Sequence, residues 1–231
     1  MREGKHLPDH ESRITNRFML IADCGSSWSK IRNLDDGVTA ILPTQQVLRD
    51  ESLRFDIATG HLGRDRTDRY ENELIALARG SLKLIEDDDF TVVDIGSRDT
   101  KYVSFHGRKL RKLDWNQKCG ASTGFTLELL AQYYGIDFEM LAVADKPIPV
   151  TCGIFAIEGI FEAIIKGGPA ETALAAFVHG IALNVYNFAQ RPKALFVSGG
   201  LCANRCFLDS LYRYCEVIPL GRNVLLEGLT E

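Results

Sequence analysis

No stretch of the 231-residue chain approaches the roughly 20 consecutive apolar residues of a membrane-spanning helix, and the opening residues 1–17 form a polar leader without the apolar core of an export signal. Both absences predict a cytoplasmic protein with no membrane partner. An excess of one charge is also missing: 27 Lys and Arg stand against 31 Asp and Glu, for a net charge of −4. Basic segments such as Arg108-Lys109-Leu110-Arg111-Lys112 are short and isolated, so no nucleic-acid partner is expected and that pentad reads as a solvated hairpin. The six cysteines (Cys24, Cys119, Cys152, Cys202, Cys206 and Cys215) include no CxxC pair. Without an export signal they read as reduced thiols or metal ligands, not as a disulfide framework. His61, His106 and His179 have no ligand-like neighbours in sequence and read as surface or structural residues.

What is present is an α/β pattern punctuated by glycine, 45% apolar, which favours two modest cores over one large one. Phe18 to Ala22 is a short apolar run of buried-strand type that ends in Asp23-Cys24-Gly25-Ser26-Ser27-Trp28-Ser29-Lys30. A second strand over Lys30–Leu34, a hairpin signal at Asp36-Gly37 and a strand over Val38–Leu42 follow. An acid at a strand end, followed by a Gly/Ser turn that feeds straight into an antiparallel strand, can wrap a phosphate with backbone N–H and hydroxyl groups. The same order recurs: Phe90–Val93, then Asp94-Ile95-Gly96-Ser97-Arg98-Asp99-Thr100-Lys101, then Tyr102–Phe105. Between the copies the pattern predicts a strand over Phe55–Thr59, a polar loop and a long helix over Arg69–Ile85. Such a repeat suggests two related lobes, 18–88 and 89–231, facing across a nucleotide-holding cleft.

The second half carries two cysteines at helix starts. Asn116-Gln117-Lys118-Cys119-Gly120-Ala121-Ser122-Thr123-Gly124 leads into a helix from Phe125, with Ser122 or Thr123 as its cap. Cys152 follows the extended Pro147-Ile148-Pro149-Val150-Thr151 and precedes a helix over Gly153–Ile165. Unpaired N–H groups and the positive end of a helix dipole favour a thiolate, phosphate or anionic cluster at such places. On spacing alone both thiols read first as small buried hydrophobes, the commonest place for a free cysteine, with a ligand role as the alternative. An amphipathic helix is expected over Ala170–Ala189, and a buried strand over Lys193–Val197 then ends in Ser198-Gly199-Gly200-Leu201-Cys202-Ala203-Asn204. The Gly-Gly pair would let backbone approach a flat ligand, and Cys202 and Cys206 read as packing residues on the next helix, Arg205–Tyr214.

The four ordered motifs around Asp94, Cys119, Cys152 and Gly199-Gly200, with Glu73-Leu74-Ile75-Ala76-Leu77-Ala78-Arg79-Gly80 before them, resemble the activators of 2-hydroxyacyl-CoA dehydratases, among the BadF/BadG/BcrA/BcrD ATPases. The resemblance runs from about Phe18 to the last residues. It implies an α/β, two-lobed actin/hexokinase/Hsp70-type ATPase with ribonuclease H-like duplicated lobes. It further implies a homodimer around one [4Fe–4S] cluster, held by Cys119 and Cys152 of each subunit, and a low-potential electron delivered to a partner dehydratase or reductase. A ferredoxin or flavodoxin would supply that electron. In the cleft, ATP or ADP would be held by Gly25, Ser26, Ser27, Ser29 and Lys30 on one side and by Gly96, Ser97, Asp99 and Thr100 on the other. Gly124, Gly199, Gly200 and Asn204 complete the expected nucleotide contacts. Asp23 and Asp94 would order Mg²⁺ or the attacking water, with Arg98 adding charge, because phosphoryl transfer needs positioning more than covalent help. Departures from the family pattern are Trp28 for a small residue, Arg98 for Gln, Ser122 for Gly, and Ile157-Glu158-Gly159 in a usually acidic stretch. A small-molecule kinase of the same fold, or a non-catalytic sensor or assembly descendant, are the competing readings.

Overall fold

The computed structural model describes residues 19–116, 124–150 and 153–230. Cys119, Cys152, the two cap candidates Ser122 and Thr123, and the 1–17 leader lie outside the described residues.

Strand β1 (Leu20–Cys24) and β2 (Trp28–Asn33) pair antiparallel, β3 (Thr39–Pro43) extends the meander, and β4 (Ile57–Thr59) adds parallel to β1. The resulting order is β3-β2-β1-β4. The second half repeats the plan with β5 (Phe90–Ile95), β6 (Thr100–His106), β7 (Lys109–Asn116) and β8 (Ala194–Gly199), and then adds β9 (Glu216–Gly221). Its order is β7-β6-β5-β8-β9, with β5 again antiparallel to one neighbour and parallel to the other. β1 and β5 are buried along most of their length, as strands with a partner on each edge and cover on both faces should be. The basic pentad contributes to β7, an edge strand exposed almost throughout, where lysines and arginines discourage further strand pairing.

The helices are α1 (Thr44–Arg49), α2 (Glu73–Leu84), α3 (Gly124–Tyr134), α4 (Gly153–Ile165), α5 (Ala170–Phe188), α6 (Arg205–Tyr212) and α7 (Val224–Glu227). α2 is shorter than its periodicity suggests. Tyr70 bridges to Ala58 as extended chain, and Asn72 then accepts the Leu74 N–H as the cap, which sets the start at Glu73. α5 is not amphipathic as expected: ten of its residues are buried, and it is the central helix of the second-half core with Phe177 and Ile181 at its middle.

Among the described residues three apolar clusters result. A small one lies on the first sheet around Ala22, Val47 and Phe55, and a large one joins the second sheet to α3, α4, α5 and α6. The third lies between the sheets, where Ile21 and Ile57 of the first meet Val92 and Val103 of the second through α2 and α7. Backbones touch there: a Cβ on Gly80 would sit 1.9 Å from Val224 O, and one on Gly228 would sit 1.8 Å from Ala76 O. Arg32 of β2 also reaches Glu227 of α7 at 2.7 Å. The late helix therefore ties the two sheets together below the cleft.

Candidate nucleotide site

A cavity of about 500 Å³ opens between the two sheets, and both acid-Gly-Ser turns contribute to its wall. Each turn follows a central strand and returns into an antiparallel one, so the strand register decides which side chains face one another. In the first copy Asp23 stands opposite Lys30, and Lys30 Nζ donates to Asp23 Oδ2 at 2.6 Å. In the second, Asp94 stands opposite Lys101 at the same seven-residue spacing. The repeat thus reproduces an acid–lysine pair as well as a loop.

The second pair is more elaborate. Lys101 Nζ donates to Asp99 Oδ1 and to Glu73 Oε2, both at 2.7 Å, and stands 4.9 Å above the Trp115 ring, whose Nε1–H donates to Asp99 Oδ2 at 2.8 Å. Asp94 accepts from Ser198 Oγ at 2.8 Å. Burial pushes the Asp94 carboxyl up from the usual range, and the nearby Lys30 and Lys101 cations offset only part of that. Glu73 is raised for the same first reason, with Lys101 opposing. For both lysines burial disfavours the cation, but the surrounding carboxylates outweigh it and hold their pKa values above the ordinary ammonium. The cavity wall therefore keeps two buried ammonium groups charged beside carboxylates under strain from desolvation. An anionic ligand with a bound cation matches that charge pattern, because it engages the lysines while the cation relieves the acids.

Twelve of the expected site residues line the cavity. Asp23, Gly25, Ser26 and Lys30 come from the first turn, and Asp94, Gly96, Ser97, Arg98 and Asp99 from the second. Gly124, at the start of α3, and Gly199 and Gly200, at the end of β8, close it. Gly199 has a φ of 93°, and a Cβ there would meet Ile95 O at 2.3 Å, so glycine is required by the neighbouring strand itself.

Four expected contacts do not line the cavity. Ser29 is fully buried with its hydroxyl 2.9 Å from Thr44 Oγ1, because β2 begins at Trp28 and strand alternation sends 28 and 30 to the cavity and 29 to the core. Ser27 and Thr100 are also off the wall; Asn204 caps α6 at the Phe207 N–H and donates to Phe138 O at 2.9 Å. Cys119 and Cys152 fall outside the described residues, and among the described residues no group of three or more His, Cys, Asp or Glu is arranged to hold a metal. Cys24, Cys202 and Cys206 are buried packing residues, with burial pushing the Cys24 thiol up to about 12.

Sequence reasoning missed Lys101, Glu73 and His61. The first had a signal in the seven-residue spacing from each aspartate. His61, expected at the surface or in a structural role, is exposed and also lines the cavity, with its ring 3.0 Å from Arg98 Nη2. Trp28 also lines the cavity, and its Nε1–H reaches Glu128 of α3 at 3.3 Å across the cleft. His179, by contrast, is structural, buried between Ala144 O and the Tyr214 hydroxyl.

No family model matches the chain. Among curated proteins, the (R)-2-hydroxyglutaryl-CoA dehydratase activating ATPase of Acidaminococcus fermentans is 27% identical over 170 residues, which is 68% of this chain and 65% of that one. The 2-hydroxyisocaproyl-CoA dehydratase activator of Clostridioides difficile is 25% identical over 179 residues, 72% of this chain and 66% of that one. The chain thus spans just under two thirds of the length of these curated relatives. Among solved structures, an activator of the 2-hydroxyisocaproyl-CoA dehydratase from Clostridium difficile with bound ADPNP superposes with a TM-score of 0.75 at 22% identity, over 92% of each chain. Among the described residues no helix is long and apolar enough to cross a membrane. The chain is similar to activating ATPases of 2-hydroxyacyl-CoA dehydratases, and it shares the two-lobed fold of the activator structure.

Proposed function

We propose that the chain is an ATP-hydrolysing activator that passes a low-potential electron to a partner dehydratase or reductase. The observation that carries the nucleotide half is the repeated acid–lysine turn, two copies of which face one cavity. A triphosphate fits it: Gly25, Ser26 and Gly96, Ser97 offer backbone and hydroxyl donors, and Lys30, Lys101 and Arg98 offer positive charge. Asp23 and Asp94 are the acids that would hold the shell of a Mg²⁺ ion, and Mg²⁺ would neutralise charge on the transferring phosphoryl group. Within this chain, Lys30 holds Asp23 in place, Ser198 orients Asp94, and Lys101 does the same for Asp99. Gly199 and Gly200 would lie beside the adenosine.

The electron-carrying half rests on Cys119 and Cys152, which the resemblance carried by the sequence motifs makes candidates for a [4Fe–4S] cluster shared between two subunits; two thiolates from each chain would complete a four-thiolate set. Such a cluster supplies one-electron chemistry when bound. The chain's own support for a second copy is an exposed apolar groove between α3 and α4, the helices that follow the two cysteine segments. Phe125, Leu129 and Tyr133 are 50%, 50% and 76% exposed there, a surface that a monomer in water would not favour.

The test is phosphate release from Mg·ATP, together with iron and acid-labile sulfide content and EPR on protein purified without oxygen. ATP turnover with about four irons per dimer, lost in Cys119→Ser, is the expected result. Turnover without iron even after reconstitution would replace the electron-transfer reading with a kinase of the same fold, and no turnover would leave a non-catalytic descendant.

A further inference from the structure

The guanidinium of Arg98, on the second phosphate turn, is tied across the cleft to the first half of the chain. Arg98 Nη2 lies 3.0 Å from His61 Nε2. A guanidinium can only donate, so that ring nitrogen accepts, and the neutral imidazole carries its proton on Nδ1. Nδ1 faces Glu73 Oε1 at 3.3 Å, and that oxygen is buried with no well-aligned hydrogen bond to satisfy it. The other Glu73 oxygen is held by Lys101 at 2.7 Å. Lys101, Glu73, His61 and Arg98 therefore form one line of contacts, anchored in the interior and ending at the cavity wall.

What ends the line matters. A carboxylate holding Arg98 would cancel its charge before any ligand arrived. A neutral imidazole fixes the direction of the guanidinium and leaves its charge and its remaining N–H donors free. Glu73 in turn selects the ring tautomer that can accept from arginine. His61 follows β4 of the first sheet while Arg98 follows β5 of the second, so the tie exists only when the two halves approach.

We propose that His61 is a positioning residue that holds Arg98 as a clamp on the end of a nucleoside triphosphate's phosphate chain, where both turns meet. The inference rests on the ATPase reading and deepens it. The clamp is made when the halves close, and it distinguishes a triphosphate from a diphosphate because only the longer chain reaches it.

The experiment measures Mg·ADPNP and ADP dissociation constants for the unmodified chain and for His61→Ala, His61→Gln, Arg98→Gln and the His61→Ala/Arg98→Gln pair. His61→Ala should weaken ADPNP about tenfold while ADP stays within about twofold, the loss expected for one charge-assisted hydrogen bond. Gln places an amide oxygen and nitrogen in an arrangement like that of the ring nitrogens, so His61→Gln should recover binding to within about threefold of the original. Arg98→Gln should reproduce the selective loss, and adding His61→Ala to it should add nothing, as required if His61 acts through Arg98. Unchanged ADPNP binding in His61→Ala, equal weakening of both nucleotides, or additive losses in the pair would overturn the proposal. An unmodified chain that binds neither nucleotide would instead defeat the ATPase reading on which it stands.

Discussion

Asp94→Asn should stop catalysis and leave the ligand-free protein at least as stable as before. The side chain is 5% exposed and accepts one hydrogen bond, from Ser198 at 2.8 Å, which an asparagine carbonyl of the same size can still accept. What the substitution removes is a charge that burial disfavours more than Lys30 and Lys101 favour it. Neither cation is orphaned, because Lys30 keeps Asp23 at 2.6 Å and Lys101 keeps Glu73 and Asp99 at 2.7 Å. The sign with pH follows from the raised folded pKa. Below the unfolded value of about 3.9 both states are protonated and wild type carries no penalty; as pH rises from there to the folded pKa the penalty grows, and above it is complete. The advantage of the variant should therefore be absent in acid and full at neutral pH, visible as a rise of about 2–4 °C in Tm for each kcal/mol relieved. ATP hydrolysis should fall by about a hundredfold or more, the usual scale for losing a group that organises charge in the transition state. Thermal unfolding from pH 3.5 to 8 without nucleotide, alongside phosphate release, is the assay. A Tm at pH 7 that drops by several degrees would mean the carboxylate stabilises the fold, and undiminished hydrolysis would remove it from the mechanism.

Lys101→Met should behave in the opposite way: the ammonium is 3% exposed, and its loss removes the cation facing Glu73 and leaves Asp99 with the Trp115 indole alone, a cost of about 3–5 kcal/mol that differential scanning calorimetry would register. Since its pKa is raised, the stability Lys101 contributes in wild type is whole below about 10.4 and disappears only as pH climbs through the folded value, so the deficit should not vary between pH 7 and 9. Gly80→Ala or Gly228→Ala forces a methyl against backbone oxygen between α2 and α7; a cost of about 3 kcal/mol and a Tm lower by about 6–12 °C are expected. A Tm within a degree or two of wild type would show that α7 is not wedged as described.

The two turns were legible in the sequence because the order of acid, glycine and serine at a strand end occurs twice; one copy alone reads as readily as a tight hairpin of small residues. Most of the wall followed from them. Lys101 was hidden in an ordinary-looking strand, Thr100–His106, until register set it opposite Asp94. His61 and Arg98 are 37 positions apart, a distance over which neither residue type announces the other. Ser29 was assigned to the phosphates because it sits among serines, yet the one-residue alternation of β2 turns it inward. The overlong α2 has a similar cause: Arg69 to Glu71 suit a helix in composition, and tertiary pairing of Tyr70 with Ala58 overrides them. Local pattern reached the loops, and long-range register decided which side chains enter them.

The chain has two tryptophans; Trp28 lines the cleft and Trp115 packs against its wall. Trp28 reaches across to Glu128, while the Trp115 ring covers Lys101 and its indole N–H holds Asp99. No indole elsewhere dilutes their emission, so the ultraviolet fluorescence of the unlabelled protein is an optical readout of this one place. Displacing the ammonium from Trp115, or parting Trp28 from its carboxylate, would each change quenching and solvent exposure. Ligand arrival and lobe movement can then be followed in real time and told apart with a single Trp→Phe replacement.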